Sequence, residues 1–345
     1  MLLTASGSPG TAALVRALRE NGERDLQLVG VDMSERSIGR HLCDSFALVP
    51  ASDNDGFVDA VRDVVEREGV DVVLPQSSYD LPALAEARDR FPVAVLVSSP
   101  ETVRRSNDKA ETYELLRGLG IPAPDFRRVN GGEEVEAAAR ELGYPEDDVA
   151  VKPVFSSGSR GFRIVSARAD RREQLLTNRP GVAEALRLEE LVELLGDDET
   201  ELMVMELASG GERTIDGIGD GRRVVLGHAK TREGMRAGLA MYFVTLDDAA
   251  LMVLAERVVG ALAIDHFFNI QLVGDHVIEV NPRISTIVYQ GDLNIPYLGV
   301  KRALGELSDD ELAAYAKRIR PGRTALRYFD QVEWDPRVEG DGRHA

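Results

Sequence analysis

Near its end the chain carries HVIEVNPRIS, residues 276–285, a β-branched run interrupted at every second position by Glu279, Asn281 and Arg283. Side chains two apart on a strand share a face. The stretch just before it, FFNIQLV, reads as a partner strand bearing Asn269 and Gln271. In an antiparallel hairpin, opposed residues also share a face. A three-residue turn, Gly274-Asp275-His276, would pair Val273 with Val277, Gln271 with Glu279 and Asn269 with Asn281. A one-residue slip would turn one set away from the other. Paired as expected, Gln271, Glu279 and Asn281 offer carboxylate and amide oxygens, the donors that a hard cation such as magnesium takes alongside nucleotide phosphates. Arg283 would face the same anion.

Three further stretches suit a phosphate ligand. In VAVKPVFSSGSRGFRIV, Lys152 ends a β-branched strand, and a loop with Ser156, Ser157, Gly158, Ser159 and Gly161 follows. Its glycines allow backbone N–H groups to converge on a phosphate, with the lysine as a point charge beside them. No Gly-Lys-Ser/Thr opens a helix, so this is not a P-loop. Lys109, in SNDKAETYELL, sits in the first turn of a helix, where the dipole disfavours a cation unless an anion lies close. In MELASGGERTIDG a strand ends at Glu206-Leu207, crosses through small residues from Ala208, and resumes at Glu212. Backbone groups exposed at such a break can read a purine edge, and Glu212 can take ribose hydroxyls.

These residues need elements to hold them. Over the first hundred residues strand-like runs (MLLTAS, DLQLVGVDMS, DVVLPQS, VAVLVSS) alternate with helical patterns. Among the latter is FVDAVRDVVEREG, with Phe57, Val61, Val64 and Val65 on one face. That alternation argues for a parallel sheet between helices. ETVRRSNDKAETYELLRGLG reads as one helix with an Asn-Asp start, and a helical, acidic stretch is expected from about 182 to 195. The second half reads as antiparallel sheets covered by helices, including a hairpin at Gly219-Asp220-Gly221 and a helix with Leu251, Leu254, Val258 and Leu262 inward. The last two dozen residues read as a loosely held tail.

The chain has 345 residues and a net charge of −18, from 41 basic and 59 acidic residues. That balance disfavours a nucleic-acid or anionic-membrane surface. No apolar run reaches the length of a membrane span. Cys43 is the lone cysteine, so no internal disulfide can form. With no signal-like N-terminus, the expected location is cytoplasmic.

Taken in order, the four motifs resemble those of the ATP-grasp superfamily, and most of all stand-alone proteins related to half of the carbamoyl-phosphate synthase large subunit. The resemblance runs from about Met1 to Gly305 and is most specific at Glu279-x-Asn281-Pro282-Arg283 and the paired lysines. It implies an α/β pre-ATP-grasp domain with a Rossmann-like parallel sheet over residues 1–100 and a helical linker over 101–124. It further implies an α+β ATP-grasp domain of two subdomains, 125–205 and 206–320, before a tail at 321–345. By motif, Lys109 and Lys152 match the nucleotide-phosphate lysines, 156–161 the phosphate-covering loop, Glu206, Leu207 and Ala208 the adenine linker, and Glu212 the ribose acid. Gln271, Glu279 and Asn281 match the ligands of magnesium (or manganese), and Arg283 the arginine that steadies an acyl-phosphate. A basic stretch read between strand and helix, with Lys230, Arg232 and Arg236, matches a loop near the active site of related ligases, and Arg232 is expected to join Arg283 in catalysis. The implied activity is an ATP-dependent ligase joining a small carboxylate to an amine, in a family where homodimers are common. Ile284, Ser285 and Thr286 stand where carbamoyl-phosphate synthases carry further basic residues, which argues against carbamoyl-phosphate synthesis, with bicarbonate activation of that kind kept as an alternative within the ligase class.

Two other readings compete. Gly7 and Gly10 after the first strand, with Asp32 ending the second, resemble a dinucleotide fingerprint, although Ala5 replaces its first glycine. That would make the protein an NAD(P)-dependent oxidoreductase. A non-catalytic ATP-binding protein is the third.

Overall fold

A computed structural model describes residues 1–155, 160–177, 185–236, 239–285 and 293–335. The N-terminal sheet is parallel, in the order β3-β2-β1-β4-β5: β1 (Leu2–Leu3), β2 (Val29–Asp32), β3 (Ser45–Leu48), β4 (Val72–Leu74) and β5 (Ala94–Val95). Its helices are α1 (Thr11–Arg19), α2 (Gly39–Leu42), α3 (Phe57–Arg67) and α4 (Leu81–Ala87). Alternate residues of one strand serve opposite faces. Leu2 joins Val61, Val64 and Leu84, whereas Leu3 joins Leu14 and Leu18 of α1. The strand order reverses between β1 and β4, which opens a crevice at the carboxyl edge of the sheet. The loops after those two strands border it. Asp32 accepts the Gly7 amide (2.7 Å) and the Ser34 amide (2.9 Å), so this acid closes the glycine loop on itself.

The single helix expected around Lys109 is two, α5 (Pro100–Asn107) and α6 (Lys109–Gly118). Asp108 breaks the helix because its side chain caps α6, accepting the Glu111 amide at 2.9 Å. The break re-aims Lys109 at the first position of a new helix. Hydroxyls of Ser98 and Thr102 donate to the carbonyls of Asp265 and Leu262 (2.8 Å each) and tie this stretch to the C-terminal domain.

The second sheet, β6-β10-β7-β8-β9, comprises β6 (Phe126–Val129), β7 (Val149–Pro153), β8 (Arg163–Val165), β9 (Ala185–Leu186) and β10 (Leu202–Glu206). It carries α7 (Gly131–Glu141), α8 (Arg171–Thr177) and α9 (Leu188–Leu195). The acidic helix therefore begins at Leu188, after a short strand, and the first residues expected in it lie outside those described.

The third sheet, β15-β14-β11-β12-β13-β16, is the platform for the chemistry. It contains β11 (Glu212–Asp220), β12 (Val224–Thr231), β13 (Tyr242–Leu246), β14 (Asp265–Val273), β15 (His276–Asn281) and β16 (Thr324–Leu326). One face is apolar. Ile215, Ala229, Ile270 and Val280 pack on Leu251, Val258 and Leu262 of α10 (Ala249–Leu262). Each of the Ile, Val and Leu side chains contributes about 1.5–3 kcal/mol by its burial, so the sheet's orientation is strongly fixed. Helices α11 (Ile295–Ala303) and α12 (Asp309–Ala314) follow. Two expectations change here. The Lys230 stretch is a strand and hairpin between β12 and β13, not a connection from strand to helix. The terminal segment also contributes an edge strand, β16, before it runs out.

Candidate active site

The polar face of the third sheet is a two-row grid. Cross-strand pairing aligns Glu279, Gln271, Thr214, Lys230 and Thr245 in one row, and Asn281, Asn269, Asp216 and His228 in the next. The expected partners Gln271–Glu279 and Asn269–Asn281 are in register, but the turn is not the one expected. Val273 pairs with His276 around a two-residue turn, and a β-bulge restores the pairing. Ile278 is the extra residue. A two-residue turn alone would have put Gln271 opposite Ile278 and turned Glu279 to the apolar side. Tyr113 holds the bulge, its hydroxyl donating to the Ile278 carbonyl at 2.8 Å.

Above the grid lies a cleft of about 480 Å³. Lys109 and Lys152 enter it from α6 and β7, both more than nine-tenths buried. Burial pushes the Lys152 ammonium down to about 7, the neighbouring Lys109 adds to that, and Glu279 opposes it. Burial likewise lowers Lys109, again against Glu279. Two desolvated cations facing one carboxylate make a pocket that gains from a polyanion. The Lys152 ammonium also lies 3.4 Å from the Tyr113 hydroxyl.

Glu206, Leu207, Ala208 and Glu212 line the same cleft, with apolar cover from Phe162, Ile164 and Met205. The Glu206 carboxylate accepts the Asp125 amide at 3.0 Å, which pins the end of β10. The crossing from β10 to β11 passes so close to the β14–β15 turn that a Cβ at Gly210 would lie 2.9 Å from Gly274 Cα. Glu212 is bridged to Arg232 at 3.2 Å, and Arg232 Nη1 donates to Gln271 Oε1 at 2.5 Å. Arg232 thus reaches the site, from the residue just after β12. Gly161 has φ +72°, and a Cβ there would meet Pro153 Cδ at 2.5 Å, so only glycine fits where the loop returns. Ser156, Ser157, Gly158 and Ser159 lie outside the described residues.

Arg283 is half-buried, and the desolvation lowers its hold on its proton, opposed first by Glu279 and then by Asp216. It donates to Ser78 Oγ (2.9 Å) and Asn281 Oδ1 (3.2 Å). Ser78 belongs to the loop after β4, so the N-terminal domain closes this end of the site at its own sheet crevice. Arg160, beside the glycine loop, reaches Tyr79 of that same loop at 3.0 Å.

The sequence reading passed over Thr214, Asp216, Tyr113, Ser78 and Arg160 as site residues. Thr214 and Asp216 carried a signal, since they stand two apart on a strand just as Asn269 and Gln271 do. Tyr113 and Ser78 carried none, while Arg160 stood inside the loop 156–161 read as covering the phosphate. Asp216 and Lys230 form a buried ion pair at 2.5 Å. Burial alone would raise the Asp216 carboxyl, but Lys230, His228 and the Asn269 hydrogen bond together hold it below the usual range.

The donor set decides which cation the site can take. Among the described residues, no three His, Cys, Asp or Glu side chains gather as a metal group. The cleft instead offers Glu279 with the amide oxygen of Gln271, and the Asn281 amide stands two residues along from Glu279 in the adjoining row. An all-oxygen set with one carboxylate suits a hard cation whose remaining shell is phosphate and water. The residues fit.

The class follows from this: two mixed α/β subdomains clamping a lysine-lined cleft beside a Rossmann-like domain form an ATP-grasp architecture. Residues 198–323 match the family model described as "ATP-grasp in the biosynthetic pathway with Ter operon", and residues 1–97 match "PylC-like, N-terminal domain". Neither match by itself covers half of the chain. The carbamoyl phosphate synthase large chain of Clostridium acetobutylicum is 28% identical over 247 residues, 67% of this chain and 21% of that one, so the match spans about a fifth of its length. Among solved structures, an L-amino acid ligase from Bacillus licheniformis superposes with a TM-score of 0.62 at 18% identity, over 94% of this chain and 77% of the other. Biotin carboxylase from Campylobacter jejuni gives 0.61 at 15%, over 90% and 72%. These structural likenesses bear on the fold. No helix among the described residues is long and apolar enough to cross a membrane.

Proposed function

We propose that the protein is an ATP- and magnesium-dependent ligase that activates a carboxylate and joins it to an amine. The observation that carries this is the facing of two buried lysines, Lys109 and Lys152, onto the Gln271–Glu279–Asn281 grid, with Arg283 and Arg232 at its edge. Residues 1–100, 101–124, 125–205, 206–320 and 321–345 are its working parts.

In this reading the purine lies among Phe162, Ile164, Met205 and Leu207 and meets the backbone of 206–208, while Glu212 takes the ribose. Lys109 and Lys152 hold the phosphates. Glu279, Asn281 and Gln271 would hold magnesium, which when bound neutralises phosphate charge. Arg283, fixed by Ser78, orients the acid. A carboxylate oxygen attacks the γ-phosphorus, the bond from that phosphorus to the bridging oxygen breaks, and ADP leaves. The amine nitrogen then attacks the acyl carbon and phosphate departs. Such chemistry needs alignment and charge neutralisation more than a protein nucleophile. The desolvated lysines supply both, because a cation out of water interacts more strongly with developing negative charge.

A panel of acid and amine pairs tests this by phosphate release, followed by mass spectrometry of products. ADP formation that requires both an acid and an amine supports it. ATP binding without turnover across the panel favours a non-catalytic nucleotide binder, and tighter binding of NADH than ATP favours the oxidoreductase.

A further inference from the structure

We propose that Asn269, held by Asp216 and Thr214, is a positioning residue that fixes which end of the Gln271 and Asn281 amides faces the cleft. The inference rests on the reading of the cleft as a magnesium–nucleotide site. An amide side chain ligates a cation through oxygen only, and its other end is a pair of N–H donors. A site built on two amides and one carboxylate therefore needs something to choose their orientation.

Hydrogen-bond bookkeeping makes the choice. Thr214 Oγ1 donates its proton to the Ile270 carbonyl (3.1 Å), so toward Asn269 it can only accept. Asp216, paired with Lys230, is a carboxylate and also only accepts. Asn269 Nδ2 donates to both, at 2.6 Å and 2.7 Å, which spends its two N–H groups and leaves Oδ1 on the opposite side. That oxygen accepts from Gln271 Nε2 (2.9 Å) and Asn281 Nδ2 (3.3 Å). Both neighbouring amides thus turn their nitrogens inward and their oxygens out. Gln271 Oε1 and Asn281 Oδ1 indeed meet donors on the cleft side, Arg232 Nη1 and Arg283 Nη2. A flipped Gln271 would set oxygen against oxygen at Asn269 and aim N–H groups at an arginine and a cation. The chain of causation runs from a buried ion pair, through one asparagine, to two ligand oxygens. Asn269 is itself buried, so water does not substitute for it.

The test is a double-mutant cycle without turnover. Bound Mn²⁺ is counted by electron paramagnetic resonance in the complex with adenylyl imidodiphosphate, a non-hydrolysable ATP analogue. Asn269→Ala should weaken Mn²⁺ binding by about 10–100-fold, the range for groups that orient metal ligands. Gln271→Glu puts a symmetric carboxylate at 271, which needs no orienting and would even be repelled by Asn269 Oδ1. In that background Asn269→Ala should cost much less, or restore affinity. Equal losses in both backgrounds would mean that Asn269 acts only as packing, and no loss in either would also overturn the proposal. Thermal melting monitors folding. Thr214→Val, isosteric and milder, should shift Mn²⁺ affinity in the same direction, and an unchanged value there counts against the chain. A wild-type protein that shows no metal-dependent nucleotide binding would instead sink the functional reading itself.

Discussion

Lys152 should make nucleotide affinity depend on pH in a way an ordinary lysine would not. Its ammonium is pushed from 10.5 down to about 7 by burial and by Lys109. In the free protein it is then half charged near neutrality and a few per cent charged about 1.5 pH units higher. A bound triphosphate supplies the missing counter-charge and should return the group toward its ordinary value. Binding must then take up a proton, and the dissociation constant should rise by about 15-fold between pH ~7 and pH ~8.5. Calorimetry in buffers of different ionisation enthalpy measures both affinity and proton uptake. Lys152→Arg stays charged throughout and should flatten the profile, leaving only the titration that belongs to the nucleotide. The same depressed value has a sign for stability. The free protein's stability from this group is complete above 10.5 and is lost as pH falls through about 7. A wild-type profile that is flat, or that runs parallel to the arginine variant, would refute the reasoning.

Other outcomes follow from the same geometry. Glu279→Gln should lower metal-dependent turnover by roughly 100-fold or more, with thermal melting little changed because Glu279 is not fully buried; near-normal kinetics would count heavily against the site. Tyr113→Phe removes the hydroxyl that holds the Ile278 bulge, and should cost about 1–3 kcal/mol in denaturant unfolding by leaving that carbonyl unpaired. Lys230→Met strands the Asp216 carboxylate and should destabilise by about 3–5 kcal/mol. Asp216→Leu combined with Lys230→Met should recover much of that stability, while Mn²⁺ binding should stay weak because the Asn269 anchor is gone.

The alternation in residues 1–100 was enough to read a parallel sheet, because fully buried strands and amphipathic helices differ in period. The polar positions Asn269, Gln271, Glu279 and Asn281 were equally legible, since i and i+2 on a strand must share a face. Their mutual pairing was legible only as a condition: some odd residue had to be absorbed near the turn. Sequence placed it in the turn, and the fold placed it at Ile278, because a tyrosine from a distant helix supplies the donor that the bulged carbonyl needs. The capped break at Asp108 was readable in the Asn-Asp pair as a helix start, yet not as the end of another helix, which the Asp108 cap on α6 sets. Asp216 showed only as a polar position two from Thr214, and Lys230 was read in a basic loop near the active site rather than in a strand. The β11–β12 hairpin sets them opposite His228 and Thr214, but only the long-range pairing of β11 with β14 brings Asp216 beside Asn269, and burial there makes their charges act on neighbours. Local chemistry and period thus settled which residues could serve. Which of them meet, and which way their amides point, was decided by contacts between residues far apart in the chain.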